Sequence, residues 1–389
     1  MRIHITKENE SVWDVARATG TPAERIIGLN GLTHPYALCE GQALILPPPT
    51  DVRRAMGGEG AADFARSWGV SIRRLLRANP ELARYGEVRP GQLVVRPPSA
   101  GAFGSLILGG WIEEDEWERA REILPFLTVA AVPCRTDGGV MAPSPVSVRM
   151  TSTEAQICPP LLARIRLSEY LSLSDRRLPP AFGGGLCLVC DGVPIADLLS
   201  EAGRIKRGIG AERMLCVMLQ EATYLSEQAS VESLSGACDC LWVIAKPDRP
   251  MIERATMLRH SGGYRDSALC PQLPDTGWEQ VVSPDGGREV RRFLLSEAYE
   301  PARKRKIPVS RDGETGAAGY VYRTKAGRHA EMRRRSFDDP LSLRQALCEV
   351  NRRRFYGLFC RAAALPLWAA VETSLCWEIC ETFCPVTTP

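Results

Sequence analysis

The feature that most constrains this chain is a repeat at its start. Ala16, Gly20 and Asn30 return at one constant offset as Ala65, Gly69 and Asn79, and Gly41-Gln42 and Pro47 return, displaced by one residue more, as Gly91-Gln92 and Pro97. The extra residue falls in the loop between Asn79 and Gly91. Each unit reads strand, helix, helix, strand. In the first, Ile3-His4-Ile5 alternates as a short strand, Ser11 opens a helix that Gly20 ends, and Thr21-Pro22-Ala23-Glu24 has the pattern of a capping box with proline at the first helical position. Gly41-Gln42 then turns into a last strand, Ala43 to Leu46, followed by the stiff linker Pro47-Pro48-Pro49. Trp13, between Val12 and Val15 in a short helix, reads as a core residue.

The first unit, IHITKENESVWDVARATGTPAERIIGLNGLTHPYALCEGQALILP, resembles a LysM domain over its whole length. The second departs in its first turn, Gly58-Glu59-Gly60-Ala61, but keeps Ala78-Asn79-Pro80 and Gly91-Gln92. The resemblance implies two βααβ modules, residues 1–48 and 51–98, each gripping the N-acetyl groups of a glycan in a shallow groove between two loops. Those loops map onto Asn9, Glu10, Ser11 and Val12 with Gly31, Leu32, Thr33 and His34. In the second module they map onto Gly58, Glu59, Gly60 and Ala61 with Asn79, Pro80, Glu81 and Leu82. Backbone amides near a helix start can donate to acetamide carbonyls, while small apolar side chains pack the methyl. One such module buries little surface and binds weakly, so two in tandem raise avidity on a polymer.

From Gly101 the pattern changes to apolar strands alternating with amphipathic helices, the signature of an α/β barrel or wound sheet. Strands are expected at Ser105–Leu108, Leu127–Val132, Gly185–Cys190, Met214–Leu219, Leu241–Ala245, Ala268–Cys270 and Tyr356–Cys360. Helices are expected at Glu114–Leu124, Pro194–Lys206, Met251–Leu258 and Leu341–Arg354. The stretch Val290–Ser336 breaks the alternation and reads as an inserted α+β subdomain, with an antiparallel strand at Val321–Thr324. The stretch Arg149–Phe182 looks too short for a third strand with its flanking helices.

Tandem LysM modules ahead of such a pattern resemble the spore-germination glycosidases of glycoside hydrolase family 18. The stretches WIEEDEWERAREILPFLTVAAVPCRTDGGV, MLCVMLQ and the long run from SEAYEPARKRKIPVS to the Phe-Asp-Asp-Pro-Leu-Ser helix start follow that family's order. The resemblance implies a (β/α)8 TIM-like barrel over 101–378, with the insertion near 290–336 and a tail, 379–389. The family's fourth strand carries Asp-x-x-Asp-x-Asp-x-Glu. Here it is Gly184-Gly185-Leu186-Cys187-Leu188-Val189-Cys190-Asp191. Alternation puts Cys187, Val189 and Asp191 on the inward face. Asp191 therefore stands where the family has its acid glutamate, one methylene shorter, and Val189 stands where it has the carboxylate that orients the substrate acetamide. By the same alignment Ile244-Ala245-Lys246 replaces a Met-Thr-Tyr that reaches the acetamide, and Arg361 replaces the tryptophan floor of the sugar pocket. These losses point to a barrel without family chemistry.

Other chemistries find little support. Net charge is +3, and the basic runs 303–306, 333–335 and 352–354 lack interleaved aromatics, so nucleic acid is not indicated. The start MRIHITKENESVWD has no signal-peptide pattern, and no apolar run approaches the roughly 18 residues of a membrane span. The chain is thus expected to be made in the cytoplasm and to reach spore cortex, coat or cell wall without a membrane partner. Its 14 cysteines follow no disulfide spacing and read mostly as small buried hydrophobes. Cys187 and Cys190 face opposite sides of a strand, and Cys376, Cys380 and Cys384 could line one face of a terminal helix. Four isolated histidines and the lack of a phosphate loop leave metal and cofactor unindicated. Three readings remain: a peptidoglycan- or chito-oligosaccharide-binding tether with an inactive barrel, an N-acetylglucosaminidase acting on cortex peptidoglycan through Asp191, or a morphogenetic scaffold that recruits spore coat proteins.

Overall fold

A computed structural model describes residues 2–46, 52–79, 82, 88–97, 107–153, 158–190, 192–246, 249–260, 269–283, 285–326, 329–353, 355–370 and 373. The linker Pro47–Pro49, Pro98, the tail 379–389 and Cys376, Cys380 and Cys384 lie outside them.

Each module is a two-stranded antiparallel sheet with two short helices. In the first, β1 (Arg2–Ile5) pairs with β2 (Ala43–Leu46), Ile3 opposite Ile45. Val12, Val15, Ile26, Leu44 and Leu46 form its core. Ser11 caps the helix Val12–Thr19 through a reciprocal bond with Asp14, and Gly20, at φ 68°, closes it in the left-handed region that favours glycine. The second helix, Ala23–Asn30, departs from expectation. Pro22 sits at its N-cap with no side-chain cap bond, so Thr21 does not form a capping box. The second module repeats the plan with β3 (Val52–Arg54) against β4 (Leu93–Val95) and a core of Ala55, Phe64, Ala65, Leu75, Leu76, Leu82 and Val94.

Beyond the modules, eight parallel strands form the barrel. These are β5 (Ile107–Trp111), β6 (Val129–Asp137), which also makes a hairpin with β7 (Val140–Pro143), β8 (Leu161–Arg166), β9 (Gly185–Val189), β10 (Met214–Gln220), β11 (Cys240–Ile244), β12 (Leu269–Pro271) and, after an insertion, a last strand at Gly357–Arg361. That last strand pairs with β5, and on its other side Leu273 N donates to Phe359 O at 2.8 Å, closing the ring against β12. The barrel is complete at Arg149–Phe182, where the sequence looked too short. Leu-Leu-Ala-Arg-Ile-Arg is the third barrel strand, its apolar run interrupted because Arg164 falls on the inward-facing alternation. The helix expected over Glu114–Leu124 is instead a single turn, Trp117–Ala120, and a 3-10 turn, Leu124–Phe126.

Two cores follow from strand alternation. Outward side chains such as Leu186, Leu188, Leu215 and Val217 pack with Ile195, Leu198, Ala202, Ile205 and Ile209, one stripe of the helix Ile195–Ile209. Inward side chains fill the barrel with Trp111, Leu162, Cys187, Cys216, Met218, Cys240, Trp242, Cys270 and Phe359. Trp242 stacks on Phe359 with centroids 5.2 Å apart, and a Cβ at Gly109 would lie 2.2 Å from its ring. Glycine is required there for lack of space. Cys187 is in the inner core and Cys190 in the outer, as three-residue spacing on a strand demands.

Between β12 and the last strand lies a five-stranded antiparallel sheet of β13 (Thr276–Val282), β14 (Arg288–Leu294), β15 (Ser310–Arg311), β16 (Ala318–Ala326) and β17 (His329–Phe337), ordered β14-β13-β17-β16-β15. It begins at Thr276, ahead of the segment 290–336. One end of this sheet meets the first module. Val309 N donates to Glu40 O at 2.9 Å, and a Cβ at Gly41 (φ 78°) would lie 2.3 Å from Val309 O. Asp339 joins three parts of the protein. Its Oδ1 accepts from the amides of Leu341 and Ser342, starting the helix Pro340–Arg352, while its Oδ2 accepts from Arg311 at 2.6 Å and Tyr299 Oη at 3.3 Å. Arg311 also donates to Gly41 O at 3.2 Å. The second module rests on the barrel through Arg73 and Arg77, whose Nε atoms donate to Pro125 O at 3.1 and 2.6 Å.

Asp339 is 1% exposed, so Asp339→Ala removes a helix cap and leaves Arg311 without its anion. The expected loss is about 3 kcal/mol in urea unfolding followed by tryptophan fluorescence. A midpoint equal to that of the unmodified protein would refute the central role of this carboxylate.

Candidate functional site

In the first module the two groove loops are tied together, since Val12 N donates to Pro35 O at 3.1 Å. Asn9, at φ 58°, turns the chain so that Glu10 folds back, its Oε2 accepting from Lys7 N at 2.9 Å and meeting His4 Nε2 at 2.8 Å. Burial opposes the charge on Glu10, but the bonds from His4 and the Lys7 amide prevail and hold its carboxyl below the usual range. In the second module the Glu59 side chain folds back in the same way, accepting from Met56 N at 2.8 Å and Arg53 at 2.6 Å. Both glutamates brace their loops from within. Val12 is fully buried in the module core. Of the residues expected to line the two grooves, Asn9, Ser11, Gly31, Leu32, Thr33 and His34, with Gly58, Gly60 and Ala61 in the second module, are not buried.

Two aromatic residues change the picture of the first groove. Trp13 is not a core residue: it is 36% exposed and stacks on Tyr36, itself 79% exposed, with centroids 4.2 Å apart and planes at 18°. The helical step of about 100° that buries Val12 and Val15 on one face turns Trp13 off it. Tyr36 was missed because its loop carries no periodic signal. In the second module Asn79 is fully buried. Its amide donates to Leu75 O and Val95 O at 2.9 and 2.8 Å and its Oδ1 accepts from Val95 N at 2.6 Å. Asn30 makes the equivalent bonds to Ile26 and Ile45. The repeated asparagine is a helix-to-strand pin, and Leu82, 2% exposed, is core. Pro80 and Glu81 lie outside the described residues.

The other candidate is the C-terminal mouth of the barrel, where active sites of this architecture sit. Asp191 lies outside the described residues. Val189, two residues earlier, packs against the inner core, in register with Met218, which is in turn in register with Trp242, and Trp242 with Cys270. On its other side Val189 is in register with Arg166 of β8. Lys246 is exposed, and its amide is held by the buried Glu221 at 2.8 Å. Arg361 turns to the loop after β5 and pairs with Glu116. The same loop offers Glu113 to Arg164 at 2.5 Å and Glu114 to Arg135 in a two-pronged contact at 3.0 and 3.1 Å. Three guanidinium groups from three barrel strands are thus taken by three carboxylates of one loop. Sequence reasoning missed this clamp, although Glu-Glu-Asp-Glu after the first strand was a visible signal. Among the described residues of the mouth, Glu113, Glu114 and Glu116 are committed to arginines.

Comparison with known proteins agrees with this division. Residues 4–47 match the LysM domain family. No curated protein sequence matches the chain. Among solved structures, the spore cortex-lytic enzyme SleL of Bacillus cereus is similar at 15% identity and TM-score 0.68, covering 96% of this chain and 97% of that one. SleL of Bacillus megaterium is similar at 14% identity and TM-score 0.65, with the same coverage. A class V chitinase from Nicotiana tobaccum is similar at 14% identity and TM-score 0.53, over 70% of this chain and 99% of that chain. The chain therefore opens with a LysM domain and continues in the barrel fold of family 18 glycosidases.

Trp13→Ala and Tyr36→Ala should each weaken binding of chito-oligosaccharide by roughly three- to tenfold in calorimetry, the worth of one exposed stacking ring. Their unfolding midpoints should hardly move. Asn79→Ala, in contrast, should cost about 2 kcal/mol of stability. Unchanged affinity in both aromatic variants would remove the pair from the groove.

Proposed function

We propose that this protein holds N-acetylglucosamine-containing glycan, peptidoglycan in the first instance, through its LysM modules. In this reading they tether a family 18-like barrel that has no hydrolytic activity. The first half rests on the LysM match and on groove loops whose braces, Glu10 and Glu59, recur in both modules. The observation that carries the second half is Val189, set against Met218 and Trp242 where the family mechanism needs a carboxylate. That mechanism is substrate-assisted: an acid protonates the leaving oxygen while a neighbouring carboxylate orients the attacking acetamide. With Cys187 and Val189 inward, the acetamide has no partner on this strand, and Asp191 alone supplies the acid one methylene short. A misplacement of about 1 Å costs on the order of 100-fold in rate.

The similarity to two cortex-lytic enzymes over nearly the whole chain supports a place in spore cortex or coat. No helix among the described residues is long and apolar enough to cross a membrane. The carboxyl kept at Asp191 favours the rival reading, an N-acetylglucosaminidase of cortex peptidoglycan. A scaffold for spore coat proteins is the third.

One experiment separates them. Full-length protein should sediment with insoluble peptidoglycan or chitin and release no reducing ends from either. Hydrolysis abolished by Asp191→Ala would establish the enzyme instead. No sedimentation with either polymer would leave the scaffold reading in place of the tether.

A further inference from the structure

Inside the barrel lies a row of thiols that the glycan reading leaves unused. Cys187, Cys216, Cys240 and Cys270 belong to four neighbouring strands, β9 to β12, and all face inward, fully buried. Cys216 is in register with Cys187 on one side and with Cys240 on the other. Its thiol is hydrogen-bonded to both, and Cys240 is hydrogen-bonded onward to Cys270. All four are free thiols. They form a line rather than a cage, and among the described residues no group of three or more Cys, His, Asp or Glu could hold a metal ion. Cysteines scattered through a core need only packing to explain them, whereas four in one hydrogen-bonded row share a chemistry.

We infer that Cys216 and Cys240 are a modification site, which hydrogen peroxide oxidises to a disulfide tying β10 to β11 inside the barrel. This site is independent of the glycan-tether reading. In-register residues on neighbouring strands lie about 4.8 Å apart at Cα, within the roughly 4.4–6.8 Å that a disulfide spans. The concave inner face of a barrel also leans their Cβ atoms together. Cys270 is in register with Trp242, and the two-residue stagger puts its Cα roughly 8 Å from that of Cys240, beyond this reach. Cys187 meets the distance condition, but chemistry favours Cys240. The thiolate is the form that attacks peroxide. Hydrogen bonds from Cys216 and Cys270 lower the Cys240 thiol to about 6, against burial and the Asp239 carboxylate. Burial and its bonds to Cys187 and Cys240 hold Cys216 well above the usual thiol range, so it follows as the second thiol. In the first step the Cys240 sulfur attacks a peroxide oxygen, the O–O bond breaks, and a sulfenic acid and hydroxide result. Next the Cys216 sulfur displaces the sulfenic hydroxyl, which leaves as water with the Cys216 proton as the S–S bond forms. Two electrons pass from the thiol pair to the peroxide. Its way in is the end of the barrel opposite the mouth. There Met214 and Tyr356, both only partly buried, pack over the row, with Met214 Sδ 3.7 Å from Cys240 Sγ. An unbranched methionine yields readily to a molecule little larger than water.

The test treats native full-length protein with a small excess of hydrogen peroxide, then unfolds it, alkylates the remaining thiols and cleaves after glutamate. Glu221, Glu227 and Glu232 lie between the two cysteines, so cleavage there puts Cys216 and Cys240 on separate peptides. Mass spectrometry should find these peptides joined, two hydrogens lighter than their sum, and separated again by a dithiol reductant. Cys238 shares the second peptide, so Cys238→Ala should leave the joined pair in place while Cys240→Ala removes it. In Cys216→Ala the Cys240 sulfenic acid has no second thiol to meet and should be trapped by dimedone; an untrapped Cys240 there would overturn the order of attack. Absence of the joined pair at peroxide levels that oxidise the partly buried Cys134 would overturn the site itself. So would a Cys187–Cys216 pair in its place, or a bridge that forms only in unfolded protein. The unmodified chain yields the joined pair by itself, so the site is decided even where a variant does not fold.

Discussion

The carboxylate of Asp339 is the point on which the assembled protein turns. It starts the helix Pro340–Arg352 that leads into the last barrel strand, accepts Arg311 and Tyr299 from the inserted layer and, through Arg311, reaches the Gly41 carbonyl of the first module. Such a buried anion is tolerated because each of its lone pairs has a donor. The consequence is mechanical. The first module is part of the body, with Val309 packed so closely on Gly41 that no side chain fits there. The second is held separately by two arginines on the Pro125 carbonyl.

This changes how tandem binding works. Flexibly tethered modules gain avidity by searching, whereas modules fixed to one body offer two grooves at a set separation and gain only on a lattice that matches it. Inside each module Glu10 and Glu59 hold a loop in one shape, and a loop shaped in advance is one that would lose less entropy on binding a ligand.

The barrel keeps its scaffold around an apolar interior. Its eight strands, closure and insertion are intact, yet the interior is filled by Trp242 stacked on Phe359, and the mouth is crossed by ion pairs from Glu113, Glu114 and Glu116. Apolar filling stabilises a barrel directly, while buried catalytic carboxylates cost stability. The clamp from one loop to three strands gives the mouth a charged rim.

Periodicity and repetition were enough to read the two modules, the alternation of the barrel, the insertion and the inward facing of Cys187 and Val189, because each depends on spacing along the chain. Spacing also misled. Arg164 and Arg166 disguised the third barrel strand, since residues that point into a barrel mouth are free to be charged. Trp13 resembled core among valines, and its exposure was set by the angle of one helix and by Tyr36 arriving from another loop. Asn79 matched a groove motif, but its amide is needed to pin helix to strand, a choice made by the distance to Val95. The sorting of Glu279, Glu289 and Glu331 from Arg288, Arg292 and Arg334 was written in alternation. Only strand pairing decided that each set would gather on one face, because register across strands depends on contacts that no single stretch of sequence contains.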